Sequence, residues 1–178
     1  DRCRIAALSV RSRFDCYAAS EDRFAPAREA AIERIFLEAD AWHHARIAPT
    51  NPFYYGHWGR VHVRRAPAAG VEWIAGRIET APGYAGAVVS AKLFYHECLA
   101  LRRNPYRVAP LADAPIGVGL LARSSAGPVT LYDLDEPGSP FLDRPELVES
   151  PDSGGVTTDY FQLAVLVSGG SATVPLSR

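Results

Sequence analysis

The sequence is short of almost everything that would place it in a specialised class. Methionine is absent altogether, and the three cysteines, Cys3, Cys16 and Cys98, are odd in number and widely spaced. That argues against a disulfide framework or a four-cysteine zinc site, and leaves reduced, buried thiols in a cytoplasmic protein as the expectation. Charge of one sign is missing too. With 19 basic and 20 acidic side chains the net charge is −1, which gives no field to gather nucleic acid or an anionic membrane. No apolar run approaches the roughly 18 residues of a membrane span, and the first residues show no signal-peptide pattern. What is present is 178 residues, 48% hydrophobic and 22% charged, enough to bury the core of one soluble domain over 1–178.

The most informative stretch runs from Trp58 to Arg77. Alternation places Trp58, Arg60, His62 and Arg64 on one face of a strand, and Trp73, Ala75, Arg77 and Glu79 on one face of a second. Between them Pro67-Ala-Ala-Gly70 offers a φ-fixing residue and a φ-permissive one, the chemistry of a hairpin connection. Pairing Ala66 with Val71 would set Arg60 opposite Arg77. Two facing guanidinium groups repel unless an anion with more than one carboxylate or phosphate bridges them. The hairpin therefore predicts an anionic ligand. Two alternatives stay open: Val71, Ile74, Ala75 and Ile78 also fit helical spacing, and each arginine also has structural carboxylates within reach, Glu79 among them.

Elsewhere the pattern predicts an amphipathic helix from Ala25 onward, with Pro26 in its first turn and Ile32, Ile35, Phe36 and Ala39 on its apolar stripe. Asp40 reaches His43 and His44 at i+3 and i+4, but no ligand spacing supports a metal, and histidines suit a helix C-terminus. Ala48 to Trp58 reads as a loop whose aromatics anchor it to the core. Ala87 to Arg103 reads as a second helix, Pro115 to Arg123 and Val129 to Asp133 as strands, and Leu134 to Gly155 as a surface excursion. A last strand, Thr157 to Ser168, would carry Asp159 on the same face as Phe161, Leu163 and Val165. A carboxylate on an apolar face has to be paired or put to use.

Four motifs together resemble the chorismate lyase family: Trp58-Gly-Arg60, Trp73-Ile-Ala-Gly-Arg77, Pro115-Ile-Gly117 and Thr158-Asp-Tyr-Phe161, with Phe36-Leu-Glu-Ala-Asp40 similar to that family's early helix. The resemblance implies an α+β fold, an antiparallel β-sheet with helices packed on one side and a buried ligand cavity, shared with the UTRA effector-binding domains of GntR-type repressors. It also implies a cofactor-free carbon–oxygen lyase that eliminates pyruvate from chorismate to leave 4-hydroxybenzoate. By position, Arg60 and Arg77 would bind carboxylates and stabilise charge, Ile116 would offer a backbone group to the ligand, and Asp159 would be the catalytic carboxylate. The partner would be an anionic aromatic or enolpyruvyl small molecule, with no metal, nucleic acid or membrane involved. A non-catalytic UTRA-like module binding an anionic metabolite is the alternative. The chain departs from the family in its aspartate at 159, where glutamate is usual, and in the length between Arg77 and Pro115.

Overall fold

Pro26 and the apolar stripe after it do begin a helix. It is α1, Ala25–Arg46, which buries Ala25, Glu29, Ala31 and Ile32 and ends in His43, His44 and Arg46, basic residues of the kind that suit the negative end of its dipole. The structure, a computed structural model, describes residues 25–46, 54–58, 61–102, 107–111, 117–145, 147 and 154–172. Two compact units divide the chain, Asp1–Val88 and Val89–Arg178.

In the first unit the expected hairpin is replaced. The chain does reverse after Pro67, with reciprocal backbone hydrogen bonds of 3.0 Å between Ala68 and Val71, and Ala69 and Gly70 take positive φ of 52° and 72°, as a tight turn of this hand demands. The pairing is a single bridge, however. Residues 61–63 form a turn, and the second strand is instead a helix, α2, Ile74–Thr80. Helical spacing wins because the free N–H groups of its first turn find partners that are remote in sequence. Ile74 N–H donates to the Glu29 carboxylate at 3.1 Å, and Ala75 and Gly76 N–H donate to the carbonyls of His62 and Arg64 at 3.2 and 3.3 Å. Such groups otherwise need caps or water. Gly76 permits this approach, since a Cβ there would lie 2.1 Å from the Arg65 carbonyl oxygen. The helix packs on α1 with Ile74 and Gly76 buried.

The second unit is built on a sheet of order β1-β5-β4, from β1 (Ala91–His96), β4 (Val129–Asp133) and β5 (Leu163–Ser168). An α+β class holds, but the sheet is mixed: β4 runs antiparallel to β5 as an antiparallel sheet requires, and β1 runs parallel to it. β2 (Leu99–Arg102) and β3 (Arg107–Pro110) form a separate antiparallel pair. The helix expected over 87–103 is thus two strands, broken where Glu97 takes a φ of 53°. Alternation in β1 is plain once the pairing is known, with Lys92 and Phe94 buried and Leu93 and Tyr95 exposed. Conversely, part of the strand expected over 115–123 is a helix, α3 (Val118–Arg123), whose Val118 and Leu121 are buried one turn apart and which packs on β1 and β5. The final expected strand splits into a helical turn, α4 (Thr157–Tyr160), and β5. The excursion from Leu134 supplies core residues, since Leu134, Phe141 and Leu147 are at most 5% exposed. Cys98 is buried, its Sγ within reach of the His96 and Val167 carbonyls and accepting from Gly170 N–H. Among the described residues no helix is long and apolar enough to cross a membrane.

Two glycines test this packing. Gly76→Ala is expected to destabilise the first unit by about 1–3 kcal/mol through overpacking against the Arg65 carbonyl. Gly119→Ala, in the first turn of α3 with open space around it, is expected to stabilise by up to about 0.5–1 kcal/mol. Urea unfolding of each variant measures both, and an unaffected Gly76→Ala would contradict the close approach.

Candidate functional site

Glu29 lies one turn into α1 with its side chain fully buried. A carboxylate removed from water this completely needs charged or hydrogen-bonding partners, and it has three. His62 Nδ1 lies 2.9 Å from Oε2, Ile74 N–H donates to the same oxygen at 3.1 Å, and Arg28 Nε donates to Oε1 at 3.2 Å. Burial alone would raise the carboxyl pKa. The hydrogen bond and charge of His62, followed by those of Arg28, outweigh it and hold Glu29 below its ordinary value.

This has a direct consequence for the imidazole. An ionised carboxylate only accepts hydrogen bonds, so His62 Nδ1 donates to Glu29 and the ring is held with Nε2 as its other nitrogen. The His62 side chain is 17% exposed, against none for Glu29. Two indoles border the ring, Trp73 at 5.7 Å between centroids and nearly perpendicular, and Trp58 at 6.3 Å and tilted. A buried carboxylate that orients a partly accessible imidazole is the arrangement by which histidine serves as a general base.

The residues expected from sequence lie elsewhere or lack the expected surroundings. Arg77 is on α2, not on a sheet face. Its guanidinium bonds Glu33 through Nε at 2.7 Å and Nη2 at 2.6 Å, and Glu72 through Nη1 at 3.2 Å. The argument for a bridging dianion loses its premise, because the second strand it needed at 74–80 is a helix. Asp159 belongs to the other unit and is exposed on α4, where its Oδ2 accepts the Val156 N–H at 3.0 Å and caps the turn. Its expected place on an apolar strand face is overturned by that helical turn. Arg60 and Ile116 lie outside the described residues. No motif marks Glu29 as a site residue. The available signal was its spacing: with Ala25 and Ile32 it falls at i, i+4 and i+7 on the stripe that must be buried.

A second cluster sits toward the end of α1. The Tyr54 hydroxyl donates to Asp40 at 2.5 Å and His44 Nε2 lies 3.2 Å away, and the Tyr84 hydroxyl bonds the same carboxylate. Both phenol rings set an edge against Phe36, at 5.1 and 5.5 Å. Burial raises the Asp40 pKa, but the two hydroxyls and then His44 and His43 together bring it below its usual value. Burial and the adjacent carboxylate push Tyr54 up to about 12 and raise Tyr84 as well. With every hydroxyl used this way, the cluster anchors the aromatic loop to α1, as the loop's composition predicted. Tyr55, next to it, is 84% exposed.

No protein-family model, curated protein or solved structure matches the chain.

Replacing Glu29 tests the site. Glu29→Gln keeps the shape but removes the charge, and is expected to cost about 1.5–3 kcal/mol at neutral pH, the range for hydrogen bonds to a charged group. Because the folded-state pKa is depressed, the wild-type advantage is complete above the unfolded-state carboxyl pKa and disappears as pH falls through the lower folded-state value. Unfolding curves of both proteins from neutral to acid pH measure this, and a pH-independent difference would refute a paired, ionised Glu29.

Proposed function

We propose that the chain is an acid–base enzyme in which His62 is the general base and Glu29 the carboxylate that positions it. The carrying observation is the 2.9 Å contact between His62 Nδ1 and the fully buried Glu29 carboxylate. It leaves one imidazole nitrogen basic on a ring that is still partly exposed. A base so held contributes about 10²–10⁴-fold to a proton-transfer step.

The resemblance to chorismate lyases supplies the substrate class, an anionic aromatic or enolpyruvyl acid, and the reaction class, elimination across a carbon–oxygen bond. A chorismate lyase-like fold with a buried cavity belongs to the same proposal. Its support is the motif strings at Trp73–Arg77, Pro115–Gly117 and Thr158–Phe161. The facing arginines no longer contribute, since Arg77 is engaged by Glu33 and Glu72. An elimination needs a base to take the proton from carbon, and among the described residues His62 is the imidazole best prepared for it.

The assay is ultraviolet detection of 4-hydroxybenzoate released from chorismate by folded protein at high concentration. Turnover that falls about 10²–10⁴-fold in His62→Ala and is partly restored by free imidazole is the expected result. Binding without turnover would turn the reading toward a UTRA-like effector module, and full activity in His62→Ala would remove the histidine from the mechanism.

A further inference from the structure

Trp73 precedes α2 and is only 8% exposed, and its indole Nε1 is buried with no hydrogen-bond partner. Tryptophan can donate but not accept, so this is a whole polar group left unmet, a rare state that asks for an explanation. Other buried atoms without a partner in the same unit differ. Arg65 Nε and Glu79 Oε2 belong to side chains that already bond each other at 3.2 Å through their remaining atoms. His43 Nδ1 is on a ring packed edgewise against Tyr54, in the anchoring cluster. Arg64 Nε is one atom of a buried side chain that has a partner elsewhere. Of these atoms, the Trp73 donor is on the ring that meets the His62 imidazole. Its ring meets the imidazole at 5.7 Å and 88°, its carbonyl accepts the Arg77 N–H at 3.0 Å, and the next residue, Ile74, donates to Glu29. The indole is thus held rigidly beside the base.

We infer that the Trp73 indole N–H is the ligand-recognising donor of the His62 site, and that the ligand presents a carboxylate or carbonyl oxygen to it. This rests on the acid–base reading and gives it a polarity. With chorismate, His62 Nε2 takes the proton from the ring carbon that bears the hydroxyl, and the C–H electron pair becomes the double bond that completes the aromatic ring. The neighbouring carbon–oxygen bond breaks with its pair on the enolpyruvate oxygen, which receives the proton back from His62 and leaves as pyruvate. The indole N–H donates to the ligand carboxylate while this negative charge moves. A fixed donor in a site shielded from water stabilises such charge without reorganising, and an indole has no competing acceptor role.

Nitrogen-15 correlation spectra of the full chain test this without turnover. Three indole peaks are expected, from Trp42, Trp58 and Trp73, and Trp73 is identified as the peak absent in Trp73→Phe and present in Trp42→Phe and Trp58→Phe. On titration with 4-hydroxybenzoate that peak should move downfield in the wild-type protein, and Trp73→Phe, which keeps a ring but loses the donor, should bind at least 10-fold more weakly. Binding with the Trp73 peak unmoved, equal affinity in Trp73→Phe, or no binding at 10 mM probe would each overturn the inference. A moving peak with no turnover would instead leave the donor in place and remove the enzyme reading. Turnover that is indifferent to Trp73→Phe would do the reverse.

Discussion

One buried carboxylate organises the first unit. Glu29 cannot sit among Ala25, Ile32 and Ile74 without partners, and the partners it takes come from three places in the chain: Arg28 beside it, His62 from the segment after the aromatic loop, and the first N–H of α2. Each is fixed by the same requirement that the charge be neutralised locally. The Ile74 N–H is also an unpaired group of a helix start, so one contact satisfies two separate needs. Removing the carboxylate leaves a helix start and an imidazole without their acceptor, so the helix, the turn at 61–63 and the histidine stand or fall together.

The same constraint gives the site its chemistry. Burial and ion pairing pull the Glu29 pKa in opposite directions, and pairing wins, which keeps the charge that orients the imidazole. Asp40 shows what a similar balance does at a less buried carboxylate: it is filled by two phenols and a histidine, and the result is an anchor. What separates the two is the complete burial of Glu29 and the two indoles next to His62. In the second unit, the polar group buried in the sheet is Lys92, whose ammonium lies 5.6 Å from the Phe161 ring centroid and 5.9 Å from that of Phe94. There the core is held by β5, apolar at nearly every position and central between a parallel and an antiparallel neighbour. Ala164 and Leu166 of that strand are buried, whereas Leu93, Tyr95, Val129 and Leu131 on its neighbours are exposed, so the sheet buries one face.

Several elements were legible from residues alone. The start of α1 at Ala25, the Asp40–His44 contact at i+4, the reversal after Pro67, the strand at Val129–Asp133 and the burial of Cys98 follow from spacing, turn chemistry and residue type. What failed did so at segments that fit two periods. Ile74–Thr80 alternates as a strand and also repeats as a helix; Ala91–His96 does the same in reverse. The strand-face placement of Arg77 fell with the first of these, and the apolar-face placement of Asp159 fell when the residues before Leu163 closed into a helical turn.

The sequence by itself determined where the polar and apolar groups fall along each segment, and hence that a carboxylate at position 29 had to share a buried stripe with Ala25 and Ile32. Only the tertiary structure decided which donors reach it. Those donors are 33 and 45 residues away, and nothing local distinguishes a strand from a helix at Ile74 until the Glu29 carboxylate and the His62 and Arg64 carbonyls are in place to accept its first three N–H groups. Intrinsic preferences differ by fractions of a kcal/mol per residue, whereas a buried N–H left without an acceptor costs about 1–3 kcal/mol. The long-range contacts therefore decide the helix and, with it, the site.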